Sequence, residues 1–219
     1  MIKAVLFDLD GVLMDSEVYD QSINVDFINE YHYKTDPEIF RIWIGGNPKI
    51  DYWSMLKDQI DPEDDFETFR TQFNAYHWVR RVNMPFRDYM FPDTQETVKG
   101  LFEKGYKLAC CSSSSPEYID QALTDMEIKE YFEVIVSGHD FTESKPNPEI
   151  YLYAMERFAL NNEECLVVED SPYGIEAGKR ANMTVVAKRD YHFGMDQSGS
   201  DLFIDDLKEL FGVLEELNK

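Results

Sequence analysis

Two aspartates two residues apart, Asp8 and Asp10, sit in the segment Asp8-Leu9-Asp10-Gly11 directly behind an apolar run. A carboxyl with an ordinary pKa of about 3.9 is ionised at neutral pH, so Asp8 needs no activating partner to attack phosphorus. Asp10 suits the companion role of general acid and base. That role protonates a leaving oxygen and then deprotonates water, work that calls for a carboxyl raised toward neutrality by neighbouring carboxylates. The plain structural alternative is an Asp-Gly turn with a solvated acid, since this pair is common in turns and Gly11 lets the backbone bend sharply.

Three later segments add the complementary chemistry. In Ser112-Ser113-Ser114-Ser115-Pro116, the last serine and the proline make a helix N-cap and first turn, which accounts for one hydroxyl and not for four. Ser112, with Ser113 beside it, is placed to hold a phosphate oxygen through its hydroxyl and nearby N–H groups. Lys145 precedes Pro146-Asn147-Pro148. A lone loop lysine is ordinarily a solvated charge, but one turned into the acids would neutralise phosphoryl oxygens and hold Asp8 in position. Glu169-Asp170-Ser171-Pro172 again opens a helix. Its two acids could simply complement the helix dipole; beside Asp8 they read as ligands for magnesium, which takes hard oxygen donors. Two unit charges 4 Å apart interact by about 4 kcal/mol at an effective dielectric near 20, so such acids repel a phosphate dianion unless a cation and Lys145 reverse the local sign. His139 and Asp140 read as an ordinary loop.

These segments converge only if the chain folds as an open parallel sheet, whose strands present their carboxyl ends along one edge. Short apolar runs at 4–7, 108–111, 134–136, 166–168 and 185–187 suit strands buried on both faces. Between them lie stretches of helical spacing, such as Tyr118, Ile119, Leu123 and Met126, or Ile150, Tyr151, Tyr153, Ala154 and Phe158. This alternation predicts an α/β fold with a Rossmann-like parallel-sheet core. The gap from about residue 15 to residue 93 is far longer than a crossover helix needs, and predicts an inserted helical cap. Tyr19, Ile23, Phe27, Ile28 and Tyr31 form one apolar face there, and Phe66, Phe69, Phe73 and Tyr76 another, with a break at Gly45-Gly46-Asn47-Pro48. The expected division is a core of residues 1–15 and 90–219 with a cap of residues 16–89. An amphipathic C-terminal helix carries Leu207, Leu210, Phe211, Leu214 and Leu217.

The chain has 219 residues, 43% of them apolar, enough for a sizeable core. Its net charge of -22 argues against nucleic acid or an anionic membrane surface as partner. No apolar run approaches the roughly 20 residues of a membrane helix, and the start turns acidic too soon for a signal peptide, so the expected location is the cytoplasm. Cys110, Cys111 and Cys165, odd in number and set in apolar runs, read as buried thiols. A monomer is the default expectation.

Residues 8–17, Asp8-Leu9-Asp10-Gly11-Val12-Leu13-Met14-Asp15-Ser16-Glu17, taken with Ser112, Lys145-Pro146-Asn147-Pro148 and Val168-Glu169-Asp170-Ser171-Pro172-Tyr173-Gly174, resemble the haloacid dehalogenase-like hydrolase superfamily. Within it the chain is similar to the branch of β-phosphoglucomutase and small sugar-phosphate phosphatases. The resemblance implies an aspartyl-phosphate at Asp8, acid and base work at Asp10, phosphate contacts from Ser112 and Lys145, and magnesium held by the Asp8 side chain, the Asp10 backbone carbonyl and Asp170, with Glu169 next to it. A dehalogenase is disfavoured, because those relatives lack an acid at the position of Asp10 and need no metal. The mutase branch expects a histidine where this chain has Asp20 and an arginine where it has Lys49, and lysine binds phosphate as a point charge rather than a fork. The expected activity is therefore magnesium-dependent hydrolysis of a small phosphomonoester, with a sugar phosphate foremost. Gly46, Asn47 and Lys49 of the cap are the expected substrate contacts. A phosphosugar mutase is the alternative, and a silent binding module using the cap's aromatic residues a remote third.

Overall fold

The protein is described by a computed structural model covering residues 1–45 and 50–219. Its sheet holds β1 (Ala4–Phe7), β2 (Lys107–Ser112), β3 (Val134–Ser137), β4 (Cys165–Glu169), β5 (Thr184–Lys188) and β6 (Leu202–Ile204), all parallel, in the spatial order β3-β2-β1-β4-β5-β6. Successive side chains of a strand point to opposite faces, and the buried residues divide accordingly. Val5, Phe7, Leu108, Cys110, Leu166 and Val168 share one apolar cluster, whereas Ala4, Leu6, Ala109, Cys111, Cys165 and Val167 share the other. The five apolar runs in the sequence are strands. β6 gives no such run because two of its three residues are partly or largely exposed.

The helices, in chain order, are α1 (Ser16–Tyr31), α2 (Tyr52–Leu56), α3 (Phe66–Arg81), α4 (Phe86–Tyr89), α5 (Thr94–Glu103), α6 (Pro116–Asp125), α7 (Glu149–Phe158), α8 (Pro172–Arg180) and α9 (Leu210–Leu217). Val98 and Leu101 of α5, Ile119 and Leu123 of α6, and Leu210 and Leu214 of α9 cover the first face. Ile150, Tyr151 and Ala154 of α7, with Ile175 and Ala177 of α8, cover the second. The C-terminal apolar stripe begins in a 3₁₀ turn at Leu207–Glu209 and continues into α9. The three cysteines are buried and free.

The long insertion builds an apolar cluster of its own, with Ile23, Phe27 and Ile28 of α1, Phe40, Leu56, Ile60, and Phe69, Phe73 and Tyr76 of α3. It is largely aromatic: Phe27 meets Phe69 and Phe73 edge-on at 5.3 and 5.2 Å, and Phe40 stacks on Phe73 at 4.5 Å. Tyr31, expected on the buried face of α1, is 41% exposed, its ring laid against Tyr33 at the end of the helix. Met84 and Phe86 return to the cluster of the sheet. The outgoing and returning chains run side by side, joined by an antiparallel bridge between Met14 and Met90 and by the Asp15 N–H donating to the Tyr89 carbonyl at 2.8 Å. None of the described helices is long and apolar enough to cross a membrane.

Candidate active site

Strand register determines which side chains meet. Phe7 of β1 pairs with Val168 of β4, and one residue further the Asp8 N–H donates to the Val168 carbonyl at 3.0 Å. Asp8 and Glu169 therefore leave neighbouring strands side by side, at the point where the strand order reverses, the usual ligand crevice of an open α/β sheet. Lys145 enters from the loop after β3. Its Nζ donates to Asp8 Oδ1 (2.5 Å), Glu169 Oε1 (2.7 Å) and the Cys111 carbonyl (2.8 Å).

Glu169 is wholly buried and heavily hydrogen-bonded. Oε1 also accepts from the Tyr151 hydroxyl (2.6 Å), and Oε2 accepts from the Asp170 N–H (3.1 Å), the Ser171 N–H (3.3 Å) and the Ser171 hydroxyl (3.3 Å). Ser171 also caps α8, its Oγ accepting from the Gly174 N–H at 3.1 Å. Two glycines make room: a Cβ at Gly174 would overlap the Glu169 carboxylate, and one at Gly11, where φ is +75°, would overlap that of Asp170. Gly11 thus answers both a backbone and a packing requirement.

Asp8, Glu169 and Asp170 each offer an oxygen, all within 4.8 Å of one another. The Lys145 ammonium pairs with two of these three buried carboxylates, Asp8 and Glu169, so formal negative charge is left over. Burial, with Glu169 and Asp10 adding to it, pushes the Asp8 carboxyl up to about 8 against the pull of Lys145. Burial likewise holds Asp170 well above the carboxylate range, reinforced by Glu17, Glu169 and Asp8. At Lys145 burial opposes the charge, but Asp8 and Glu169 outweigh it and raise its pKa. Hard oxygen donors carrying surplus negative charge are the donor set a small divalent cation takes, so these residues fit magnesium.

Asp10 lines the same cleft, yet its carboxylate belongs to a neighbouring cluster. Oδ1 accepts from the hydroxyls of Ser16 (2.6 Å) and Tyr118 (3.2 Å), Oδ2 accepts from that of Ser114 (2.9 Å), and an Arg81 nitrogen lies 3.7 Å from Oδ1. Ser112 is buried on the cleft, with its Oγ accepting from the Ser114 N–H at 3.1 Å. Ser113 also lines it, and its hydroxyl is 3.2 Å from that of Ser144. His139, read from the sequence as ordinary loop, lines the cleft as well, in the 3₁₀ turn Gly138–Asp140. The expected contacts Gly46, Asn47 and Lys49 lie outside the described residues.

The cleft, about 400 Å³, runs from this floor to the helical insertion. There Asp20, Gln21 and Asn24 of α1 face His77 and Arg81 of α3. Arg81 joins the two sides, pairing with Asp20 at 2.5 Å and lying 4.4 Å above the Tyr118 ring. Sequence reasoning passed over Arg81, Tyr118, Tyr151, Ser16 and Ser114. Ser16 and Ser114 lay within quoted segments, and Arg81, Tyr118 and Tyr151 reach the site through helix orientation, which spacing does not supply.

The sequence matches the family described as haloacid dehalogenase-like hydrolase over residues 5–188. Among curated relatives, a phosphorylated carbohydrates phosphatase of Thermotoga maritima is 31% identical over 185 residues, covering 83% of this chain and 82% of that protein. A phosphoglycolate phosphatase of Nitrosococcus oceani is 27% identical, covering 98% and 97%. Among solved structures, a provisionally named β-phosphoglucomutase from Thermotoga maritima superposes with a TM-score of 0.76 at 26% identity, covering 98% of this chain and 99% of that one. A sheet whose switch point carries Asp8 and Glu169, a helical insertion after β1 and a family match spanning most of the length agree: the chain belongs to the haloacid dehalogenase-like hydrolases.

Proposed function

We propose that this hydrolase is a magnesium-dependent phosphatase acting on a small phosphomonoester, a sugar phosphate foremost, through an aspartyl-phosphate on Asp8. The observation that carries the reading is the Lys145 ammonium spanning Asp8 Oδ1 and Glu169 Oε1 at the foot of the cleft. Burial lifts Asp8 to about 8, so the free ionisation expected of an ordinary aspartate does not hold; Asp8 attacks phosphorus as a carboxylate that Lys145, and a bound cation, would keep ionised, and Lys145 also offsets charge on the phosphoryl oxygens. Glu169, fixed by Tyr151 and Ser171, orients Lys145. Ser112 and Ser113 receive phosphoryl oxygens at the opening of α6. Asp8, Asp170 and the Asp10 backbone carbonyl, with Glu169 next to them, would hold magnesium, which would supply positive charge to offset a phosphate dianion in an acidic site.

Asp10 protonates the leaving oxygen and then takes a proton from water, which requires its carboxyl to turn from Ser16, Ser114 and Tyr118 toward the substrate. The core of residues 1–15 and 90–219 supplies the chemistry, and the cap of residues 16–89 closes over the cleft and selects the leaving group. The phosphatases of carbohydrates and of phosphoglycolate among the relatives support this reaction class. The test is phosphate release from p-nitrophenyl phosphate with and without magnesium, in the parent and in Asp8→Asn. Magnesium-dependent release that disappears in the variant is the expected result; release that survives the substitution overturns the mechanism. Incubation with β-glucose 1-phosphate and a bisphosphate primer separates the mutase alternative, which would form glucose 6-phosphate faster than free phosphate.

A further inference from the structure

The cap side of the cleft contrasts with its floor in one respect: buried polar atoms there lack partners. Asn24 is only 4% exposed, and its side-chain oxygen has no hydrogen bond. The Gln21 side-chain nitrogen and Asp20 Oδ1 are also buried without one. All three residues line the cleft. The two carboxamides touch each other, Asn24 Nδ2 donating to Gln21 Oε1 at 3.3 Å. Reversing both amides leaves the same remainder, one N–H₂ and one carbonyl oxygen, so the surplus does not depend on their assignment. Buried polar groups in folded proteins are nearly always paired, and a row of orphans on a cleft points to a ligand that completes them.

Charge and shape specify that ligand. Arg81 is engaged with Asp20, and burial keeps His77 below its ordinary pKa, so neither is a cation awaiting an anion. His77 Nε2 stands 3.6 Å from Asp20 Oδ1, close enough for one hydroxyl to meet both. What remains is a donor, two acceptors and an imidazole, all without net positive charge among the described residues. Trp43 contributes an apolar face to the same cleft. A carbon skeleton bearing adjacent hydroxyls finds both a donor and acceptors, because each hydroxyl gives one hydrogen bond and takes others.

We infer that Gln21 and Asn24, with Asp20 and His77, form a hydroxyl-binding subsite that selects phosphomonoesters whose leaving group carries adjacent hydroxyls. The inference rests on the phosphatase reading and names the leaving group that reaction releases. Binding groups left unpaired by the wrong substrate are the strongest basis for rejecting it, so the subsite discriminates by what an analogue lacks.

The experiment measures kcat/KM for a panel of hexose, pentose and hexitol monophosphates, for phosphoglycolate and for p-nitrophenyl phosphate. The best polyol phosphate should exceed phosphoglycolate by about tenfold or more, the worth of one good hydrogen bond. Phosphoglycolate outperforming the whole panel overturns the subsite. In the double variant Gln21→Met with Asn24→Leu, the ratio of best polyol phosphate to p-nitrophenyl phosphate should fall by about tenfold or more, with the melting temperature at or above that of the parent. A ratio within about twofold of the parent overturns the subsite alone. Absence of phosphate release from p-nitrophenyl phosphate by the parent overturns the phosphatase reading instead, so the two failures differ.

Discussion

The floor and the wall of one cleft are built on opposite principles. At the floor, Glu169 accepts five hydrogen bonds and Lys145 clasps two carboxylates. On the wall, Asn24, Gln21 and Asp20 each keep an unpaired atom. A group that handles the same phosphoryl unit in every turnover gains from being fully fixed in advance. A surface that recognises a variable leaving group gains from polar atoms whose partners arrive with the substrate. The cost of the floor is surplus negative charge; that of the wall is polar groups left without partners.

Breaking the floor should have the larger effect. Lys145→Met strands two buried carboxylates, and loss of one partner from such a cluster costs about 3–5 kcal/mol, measurable as a fall in the denaturant midpoint and accompanied by loss of phosphate release. Gly11→Ala forces a Cβ into Asp170 at a positive φ and should cost about 1–3 kcal/mol, with a weaker stabilisation by magnesium than in the parent. A parent-like magnesium response in that variant would detach Asp170 from the cation. The pH dependence sharpens the comparison. Asp8, raised from 3.8 to about 8, contributes stability to the metal-free protein that is present below its unfolded pKa and lost as pH rises through about 8. Magnesium competes with protons for that carboxylate, so the rise in Tm on adding magnesium should be greater at pH 8 than at pH 6. An equal rise at both would remove Asp8 from the cation site. The smallest change is expected at the wall, where Asn24→Leu exchanges one weak hydrogen bond for the relief of an orphaned oxygen and should move stability by less than about 1 kcal/mol.

The parts of the site that spacing revealed are those tied to strand ends. Asp8, Ser112 and Glu169 each stand at or just after the end of an apolar run, and parallel register brings such residues to one edge, whereas Lys145 reaches them from the loop after β3. Tyr151 was equally plain as a buried helical residue, but its hydroxyl on Glu169 depends on how α7 lies across the sheet. Arg81 sits 61 residues from Asp20, and only the packing of α3 against α1 makes them partners. The Asp10 carboxylate was legible as a catalytic candidate, whereas its resting contacts were not, since Ser16 comes from α1 and Ser114 and Tyr118 from the loop before α6 and its first turn. β6 escaped notice because a short edge strand with one buried residue has no apolar pattern to show. Tyr31 misled in the reverse direction: helical periodicity put it on the buried face, and its ring does meet Phe27 and Tyr76 there, but in the last turn of α1 it stays 41% exposed.

The Met14–Met90 bridge ties the two connecting segments together where the insertion departs and returns. For the sheet, everything between these methionines is an excursion that begins and ends at one doorway. Apart from Met84 and Phe86, which pack into the sheet's own cluster, the excursion keeps an apolar cluster of its own, so a transplanted helical unit need match only that narrow neck and those two side chains. Diversity in what such enzymes release can therefore accumulate on one side of the doorway while the phosphoryl machinery on the other stays unchanged.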